Sequence, residues 1–333
     1  MMTQSIYFFA PRRIEIRPEA VPPPGPGQLL VQTTMSAISA GTEQLVYRGQ
    51  VPQDLALDET ISDLAGQFTF PFKYGYAVVG KVIDLGPGVA PEWQGRRVFA
   101  FHPHQSHFLS TPQNLLPLPP GVSEEDALFL PNMETAVNLT LDGQPLIGEN
   151  VVVFGQGLVG LLTTALLARF PLNRLVTVDA FARRREVSLA LGAQASVAPA
   201  AALAEYLPAA AGADLVFELS GNPAALDHAI AITGFAGRVI VGSWYGTKPA
   251  HLDLGSRFHR QRLRLISSQV STLAPELGGR WSKARRLDVA WQMIRHVRPA
   301  RFISHRFQFE QAAQAYHMLD ESPELALQVV LMY

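Results

Sequence analysis

The second half of the chain alternates short apolar runs with segments in which apolar residues recur at helical spacing. The clearest case is the β-branched run at residues 151–154, which is followed by apolar positions through residue 168. Further strands are predicted at residues 174–178, 215–219, 238–241, 264–270 and 326–332, and helices at residues 127–141 and 309–319. Strands that alternate with helices predict a parallel, doubly wound α/β sheet.

The first 121 residues show a different pattern, in which short β-type runs are separated by proline and glycine. The runs predicted as strands are residues 14–16, 28–37, 78–85 and 97–101. This pattern is typical of a compact, β-barrel-like domain. Between these strands, the apolar residues of 53–68 lie at roughly helical spacing, which predicts an inserted helix that would shape a substrate pocket.

Gly155 and Gly157 follow the strand at residues 151–154, and Gly160 lies in the helix that opens with Leu158 and Val159. In a dinucleotide-binding turn, Gly155 would allow the chain to bend and Gly157 would let a pyrophosphate approach the backbone. Gly160 would let the helix pack on its strand. The free N–H groups at the helix N-terminus would face the phosphates. The strand, the turn and the helix together predict a dinucleotide site.

An acidic residue lies where such a site needs one. Asp179 ends the strand at residues 174–178 and follows Gly155 by 24 positions, close to the offset at which a carboxylate meets the ribose hydroxyls of NAD. Three arginines follow, and one of them, Arg184, could accept the 2′-phosphate of NADP. The charge of Asp179 opposes that phosphate, so NAD is the favoured cofactor and NADP the alternative.

Composition excludes several classes of function. The 333 residues carry a formal net charge of −1, which argues against a nucleic-acid partner. The absence of cysteine excludes disulfides, cysteine-ligated zinc and a cysteine nucleophile. No basic leader with an apolar core begins the chain, and residues 151–168 fit a strand and helix better than a membrane span. We therefore expect a soluble, cytoplasmic protein that acts on a small molecule, without a membrane or nucleic-acid partner.

The order and spacing of several blocks resemble the medium-chain dehydrogenase/reductase superfamily. The blocks are VVVFGQGLVG, VTVDAFARRREVSLALGA, ADLVFELSGNP, GRVIVGSWYG and a final strand ending in LMY. The resemblance implies a GroES-like β-barrel substrate domain at residues 1–125, to which residues 271–333 return, and a Rossmann domain at residues 126–270. It also implies hydride transfer between NAD(P)(H) and an alcohol/carbonyl pair or an activated double bond, an active site between the domains, and a homodimer.

The zinc ligands of that superfamily do not match this chain. Ala40 replaces the cysteine of the CGTD motif, and Tyr76 replaces the histidine of the GHE motif. The third ligand falls near Glu134, and the loop of four cysteines that binds a structural zinc is missing. The resemblance therefore implies a zinc-independent member. The stretches 36–50 and 75–82 resemble the branch that includes the bacteriochlorophyllide dehydrogenase.

Three residues are candidates for proton transfer to the substrate. Thr42 matches the hydroxyl that relays the proton in the zinc alcohol dehydrogenases, and Tyr76 should point toward the substrate from the vacated ligand position. His102 belongs to a cluster with His104 and His107 that holds three of the nine histidines. The alternatives are a helix-capping threonine, a packing tyrosine and solvated loop histidines. A metal site of His102, His104 and Glu134 also stays open.

Several serines and glycines after the later strands match the family's contacts to the ribose and nicotinamide. They are Ser220, Gly242, Ser243 and Ser268. The last third of the chain is locally basic, which is typical of a solvated face or an interface and is also compatible with an anionic substrate. The alternative to an enzyme is a non-catalytic nucleotide-binding sensor or partner protein, which the missing zinc ligands suggest.

Overall fold

A computed structural model describes residues 1–58, 60–207 and 212–333. The chain divides into two compact units. The first unit comprises Met1–Pro131 and Ile294–Tyr333, and the second comprises Asn132–Met293.

The helices and strands are short, and their bounds follow in chain order. The strands are β1 Met2–Ala10, β2 Arg13–Ala20, β3 Leu29–Ile38, β4 Phe72–Lys73, β5 Val78–Leu85, β6 Arg97–Ala100, β7 His107–Ser110, β8 Leu115–Pro117, β9 Asn150–Phe154, β10 Arg174–Val178, β11 Ala195–Val197, β12 Ala213–Glu218, β13 Thr233–Val241, β14 Arg264–Ser267, β15 Ile303–Gln308 and β16 Gln328–Met332. The α-helices are α1 Thr42–Tyr47, α2 Glu124–Ala127, α3 Leu130–Gly143, α4 Leu158–Leu167, α5 Ala182–Ala190, α6 Pro223–Ile232, α7 Lys283–Val297 and α8 Ala312–Glu321.

The first unit is built from two sheets. The larger sheet has the strand order β15-β16-β3-β5-β6-β8, with β7 paired to β3, and the smaller has the order β2-β1-β4. All their strand pairs are antiparallel except β15 with β16, which are parallel. Strand β3 is central, and almost all of its residues are buried. The strands from the end of the chain therefore complete the sheet that its beginning starts.

The second unit contains one six-stranded parallel sheet. Its strand order is β11-β10-β9-β12-β13-β14, and every neighbouring pair is parallel. All five residues of β9 are buried, as expected for a central strand covered by helices on both faces. The order reverses between β9 and β12, and in doubly wound sheets ligands bind at the carboxyl ends of the strands beside such a reversal. The predicted α/β fold class is confirmed.

The helix predicted over residues 53–68 is wrong across the part of that stretch that the structure describes, which leaves out Glu59. Its only helical segment is a 3₁₀ turn at Ser62–Leu64. The Asp58 carboxylate accepts the N–H groups of Thr60 and Ile61 at 2.6 and 2.8 Å, and this turn competes with a helix. Leu57, Ile61, Leu64 and Phe68 still pack into the core of the first unit, whereas Leu55 is exposed, so the spacing reflects burial in an irregular loop.

The helix predicted over residues 127–141 is divided in two. Helix α2 is capped by the Ser123 hydroxyl, which accepts the Asp126 N–H at 3.0 Å, and α3 begins at Leu130. Pro131 lies in the first turn of α3, where its missing N–H costs no hydrogen bond, and it disfavours a helix that runs through the preceding residues. Within the described ranges, none of the helices has the length and apolar character needed to cross a membrane.

Candidate nucleotide-binding and catalytic sites

The turn after β9 leaves no room for side chains at two of its glycines. Gly155 has a φ of +86°, and a Cβ there would lie 2.5 Å from the carbonyl oxygen of Leu219. A Cβ on Gly160 would lie 1.9 Å from the carbonyl oxygen of Gly155. Both positions therefore require glycine for packing, as the close approach of strand, turn and helix demands.

Gly157 is different, because no atom lies within 4 Å of where its Cβ would be. Its φ is −64°, which any residue adopts, so backbone strain does not require glycine here. Helix α4 begins at the next residue, and no side chain caps it. The first N–H groups of a helix are unpaired within the helix, and they attract anions. The open space at Gly157 and this uncapped N-terminus fit a bound pyrophosphate.

Asp179 lies beside this turn. Its Oδ2 accepts the Gln156 N–H at 2.6 Å, and its Oδ1 accepts the Phe181 N–H at 2.8 Å. Each carboxylate oxygen has a second lone pair for a ligand hydroxyl. The carboxylate therefore fits the ribose of a nucleotide held at Gly157.

Gln156 lies between two of the glycines and is fully buried. It is not among the residues that the sequence predicted for the site. Its Nε2 donates to the Gly155 carbonyl at 3.1 Å, and its Oε1 accepts the Thr164 hydroxyl at 3.0 Å. The side chain thus ties the turn to helix α4. The signal available in the sequence was a polar residue within an otherwise apolar stretch.

The arginines after Asp179 stay close to the backbone. Arg185 Nη1 donates to the carbonyls of Asp179 and Ala180 at 2.8 and 2.9 Å. The guanidinium of Arg184 lies over the Phe181 ring, 4.7 Å from its centroid. These contacts hold two of the three positive charges next to the Asp179 backbone.

Glu218 is the last residue of β12 and connects the turns that follow β12 and β13. It is not among the residues that the sequence predicted for the site. Its buried carboxylate accepts the Ser220 N–H at 2.8 Å and the hydroxyls of Ser220 and Tyr245. Its backbone carbonyl accepts the N–H groups of Gly242 and Ser243 at 3.0 and 3.2 Å. The Ser243 hydroxyl in turn accepts the Gly221 N–H at 2.8 Å. Ser220, Gly242 and Ser243 therefore lie together at the carboxyl end of the sheet.

Ser268 belongs to a different, buried network. Its hydroxyl donates to Asp142 at 2.6 Å and accepts from Asn138 at 3.1 Å. Fully buried Arg286 donates to Asn138 and to the Glu134 carboxylate, the latter at 2.8 and 3.1 Å. Burial raises the pKa of Glu134, and the charge of Arg286 opposes that rise. Glu134 is thus the partner of a buried arginine.

In the first unit, the side chains of Thr42, Tyr76 and Ser39 form a group that we call the hydroxyl cluster. Thr42 is the first residue of α1, and the side chains of Thr42 and Ser39 lie beside the Tyr76 hydroxyl. Burial raises the pKa of Tyr76 to about 12, and the negative charge of Glu43 adds to the rise. The phenol therefore keeps its proton at neutral pH and can donate it in a hydrogen bond.

A buried histidine–carboxylate pair lies next to the hydroxyl cluster. His104 Nε2 lies 3.0 Å from Glu43 Oε2, and the other ring nitrogen, Nδ1, lies 2.7 Å from the Ser36 hydroxyl. Glu43 also accepts the Tyr316 hydroxyl and, at 2.8 Å, the Ser39 N–H. Since Ser39 belongs to the hydroxyl cluster, the buried pair fixes part of that cluster through the backbone.

The structure places His102 in apolar surroundings. Its ring stacks on Phe108 with centroids 3.9 Å apart, and its Nδ1–H donates to the Pro103 carbonyl at 2.8 Å. Burial lowers the pKa of His102 to about 3, so the ring is neutral at neutral pH. The structure thus groups Thr42 with Tyr76 and places His102 on Phe108. A catalytic role for His102 stays a prediction.

The residues of the alternative metal site already have partners. Both ring nitrogens of His104 are hydrogen-bonded, and Glu134 is paired with Arg286. Across residues 1–58, 60–207 and 212–333, no three histidine, aspartate or glutamate side chains are grouped so that they could hold a metal ion.

Comparisons with known proteins agree with this geometry. Residues 159–287 match the family model for zinc-binding dehydrogenases. Over 348 residues the chain is 25% identical to an uncharacterized zinc-type alcohol dehydrogenase-like protein of Escherichia coli, YphC, with 92% of each chain covered. It is 30% identical to sorbitol dehydrogenase 1 of Saccharomyces cerevisiae over 223 residues, which are 63% of this chain and 58% of that protein.

Solved structures share the whole fold. An alcohol dehydrogenase of E. coli CFT073, rspB, complexed with NADH, superposes with a TM-score of 0.80 at 18% identity, covering 100% of this chain and 99% of that chain. A zinc-binding dehydrogenase of Sinorhizobium meliloti, bound to NADP, superposes with a TM-score of 0.75 at 18% identity, with both chains fully covered. The chain therefore shares the fold of these dehydrogenases, and its residues 159–287 are similar to the zinc-binding dehydrogenase family.

Proposed function

We propose that the chain is a nicotinamide-dependent oxidoreductase that interconverts an alcohol and a carbonyl compound. One observation carries the proposal: the open space at Gly157, where an uncapped helix begins beside the Asp179 carboxylate. That arrangement suits a pyrophosphate followed by a ribose diol. The resemblance to sorbitol dehydrogenase supports an alcohol or polyol as the substrate class.

We propose NAD as the preferred cofactor. The Asp179 carboxylate would repel the 2′-phosphate of NADP by charge. Arg184, which could accept that phosphate, lies over the Phe181 ring, and Arg185 donates to two backbone carbonyls. Solved relatives carry either NADH or NADP, so the choice depends on this chain's own residues.

A bound nicotinamide would supply or accept the hydride, and the chain's own residues would handle the proton. In the direction of carbonyl reduction, the Tyr76 hydroxyl would donate a hydrogen bond to the substrate oxygen, since its raised pKa keeps it protonated. The hydroxyls of Thr42 and Ser39 lie beside the same phenol and would pass a proton from solvent back to it. The Glu43–His104 pair would hold this group in position.

The residues at the family's zinc positions do not fit that metal. Ala40 offers no donor atom, and the Tyr76 phenol keeps its proton because its pKa is raised. A zinc ion needs three or four nitrogen, sulfur or oxygen ligands. We therefore propose a zinc-independent enzyme, and we keep the branch of the bacteriochlorophyllide dehydrogenase as part of this proposal.

The test is a fluorescence titration of the purified chain and of Asp179→Asn with NADH and NADPH. We expect the unchanged chain to prefer NADH. Loss of the charge should weaken NADH binding by roughly 10- to 100-fold, because a charged hydrogen bond to the ribose disappears. It should also reduce the preference for NADH over NADPH, because the repulsion of the 2′-phosphate disappears. Glu186→Gln, which removes an exposed charge from helix α5, is the matched control and should bind like the unchanged chain.

Two results would contradict the proposal. Equal binding of NADH by Asp179→Asn and the control would remove Asp179 from the site. If the folded, unchanged chain bound neither nucleotide, the enzyme hypothesis would fail. NADH binding without oxidation of NADH by any ketone, aldehyde or enone would favour the non-catalytic sensor instead.

A further inference from the structure

Helix α7 ends at Val297, and the residue that follows it has a left-handed backbone. Arg298 has a φ of +49° and a ψ of +65°. Glycine is the common residue in this conformation directly after a helix, because a Cβ disfavours it. An arginine here costs conformational energy, and backbone strain of this kind is found where a side chain is held for a ligand.

Two arginines at this end of α7 line a cavity of about 350 Å³ in the first unit, which we call the arginine cavity. Its lining residues are Gly121, Val122, Ser123, Asp126, Ile294, Arg295 and Arg298. Val122 and Ile294 are buried and apolar, whereas both arginines are exposed. Within the described ranges, no carboxylate forms an ion pair with either guanidinium.

The one acid that lines the arginine cavity, Asp126, has a partner at each of its oxygens. Its Oδ2 accepts the Ser123 hydroxyl at 2.8 Å, and its Oδ1 accepts the Ala300 N–H at 2.9 Å. The lining therefore carries two positive charges and a single negative charge that is fixed by hydrogen bonds. The excess of positive charge favours an anionic ligand.

The acids next to Asp126 are engaged elsewhere in the first unit. Glu124 accepts the Thr34 hydroxyl at 3.0 Å, and Glu125 is paired with Arg306 at 2.6 Å. They therefore leave the charges of the two cavity arginines uncompensated. The bond from Ala300 to Asp126 also joins the residues after Arg298 to α2, which gives the cavity a fixed wall.

We propose that the arginine cavity binds a phosphate group, either as the free ion or as part of a small phosphate monoester. A guanidinium can donate two parallel hydrogen bonds to phosphate oxygens, and two guanidinia match the double charge of the group. Arg295 and Arg298 would bind the phosphate, and Val122 and Ile294 would pack against the carbon atoms of an ester. All these residues belong to the first unit, so the inference does not depend on the proposed function.

The test is a calorimetric titration of the full chain with inorganic phosphate and with glycerol 3-phosphate, at an ionic strength held constant with chloride. We expect the unchanged chain to bind both, and the tighter of the two distinguishes an ester ligand from the free ion. Arg298→Gly and Arg295→Gln should each weaken binding about tenfold or more, because each removes a charged hydrogen-bond donor.

Arg301→Gln is the matched control. Arg301 is also exposed and follows the same helix, but its guanidinium lies over the Phe302 ring, 5.1 Å from the centroid. The variant loses the same charge as Arg295→Gln, and its phosphate affinity should equal that of the unchanged chain.

Thermal melts separate a binding role of Arg298 from a structural one. An arginine at the end of a helix can also stabilise that helix through its dipole. In that case Arg298→Gly would lower the thermal midpoint in chloride buffer. We expect the midpoint in chloride to stay the same or to rise slightly, because glycine accepts the left-handed backbone, and the stabilisation by added phosphate to be lost.

A phosphate could also bind at the uncapped start of α4, so Gly157→Ala is titrated as well. We expect this variant to keep its affinity for inorganic phosphate. Loss of phosphate binding in Gly157→Ala but not in Arg298→Gly would place the ion at the nucleotide turn, which would overturn the inference and support the proposed function.

Three further results would overturn the inference while leaving the proposed function untouched. The first is a failure of the unchanged chain to bind either phosphate probe. The second is equal phosphate affinity in Arg298→Gly and in the Arg301→Gln control. The third is a lower midpoint of Arg298→Gly in chloride, with the same stabilisation by phosphate as in the unchanged chain.

Discussion

Burial sets the protonation of two aromatic side chains in the first unit in ways that matter for function. Tyr76 is kept as a neutral phenol by burial and by the charge of Glu43, which suits a hydrogen-bond donor. His102 is kept as a neutral imidazole by burial against Phe108. A neutral imidazole with a pKa near 3 is a weak base at neutral pH.

The buried imidazole of His102 predicts a loss of stability in mild acid. Its pKa is about 3 in the folded chain and about 6.5 when exposed. The unfolded state therefore binds the proton more readily, and stability present above pH 6.5 is lost progressively as the pH falls toward 3. Each pH unit in that window costs about 1.4 kcal/mol, so about 2 kcal/mol should be lost by pH 5.

His102→Asn tests this assignment. The variant keeps a polar donor but cannot titrate, so its free energy of unfolding, measured with urea at pH 7.5 and pH 5, should fall less than that of the unchanged chain. His317→Asn, which removes an exposed histidine from helix α8, should leave the pH dependence as it was. The same acid sensitivity in His102→Asn and in the unchanged chain would show that other groups cause it.

At the scale of elements, the glycine turn separates residues required for packing from one that leaves room for a ligand. Gly155 and Gly160 are packed against backbone atoms, whereas Gly157 faces open space at the start of α4. The structure therefore separates the glycines that packing requires from the one at which we propose binding, and each role can be tested by adding one methyl group.

We expect Gly157→Ala to fold normally and to bind NADH at least tenfold more weakly. Its φ of −64° accepts alanine, and such a replacement is neutral or stabilising by up to about 1 kcal/mol. The added methyl group would occupy the space proposed for the pyrophosphate. Gly160→Ala should instead lower the thermal midpoint strongly, since its Cβ would clash with the Gly155 carbonyl.

Thermal melts and NADH titrations of both variants are the measurements. A Gly157→Ala variant less stable than the unchanged chain would contradict the open space at this position. An unaffected NADH affinity in that variant would place the pyrophosphate elsewhere.

The elements that the sequence predicts well are those whose local pattern and tertiary environment agree. The strand at residues 174–178 matches β10 to the residue, because its last four residues are all buried, as expected inside a parallel sheet covered on both faces. The segment at residues 53–68 fails, because apolar residues that reach a core from an irregular loop can also fall at helical spacing. Spacing alone cannot distinguish the two, whereas the Asp58 turn was a local signal against a helix.

The site was predictable only where one motif holds all its residues. Gly155, Gly157 and Asp179 follow from spacing within one strand–helix–strand unit. The Glu43–His104 pair joins residues 61 positions apart, and the Tyr316 hydroxyl reaches Glu43 across 273 positions. Such contacts depend on how strands β3 and β16 pair, which no local pattern encodes.

At the scale of the whole molecule, the chain combines a complete nucleotide turn with substituted metal positions. Near positions 40 and 76, which the resemblance aligns with two of the family's zinc ligands, the structure has hydroxyls and the buried Glu43–His104 pair. A buried pair with all its hydrogen bonds made is rigid and costly to disrupt. The pair could therefore hold the Tyr76 hydroxyl in place without a metal.

If no metal holds the Tyr76 hydroxyl in place, metal removal should change neither the thermal midpoint nor the NADH affinity. A metal that binds only the folded state raises the thermal midpoint by mass action, and its removal lowers that midpoint. We expect the purified chain to contain less than about 0.1 zinc per chain by elemental analysis. Its thermal midpoint and NADH affinity should be the same before and after dialysis against a chelator, and after zinc is added back. The opposite result is stoichiometric zinc whose removal by the chelator lowers the midpoint. Residues other than Ala40 and Tyr76 would then hold a metal, and the proton would have to be transferred beside that ion.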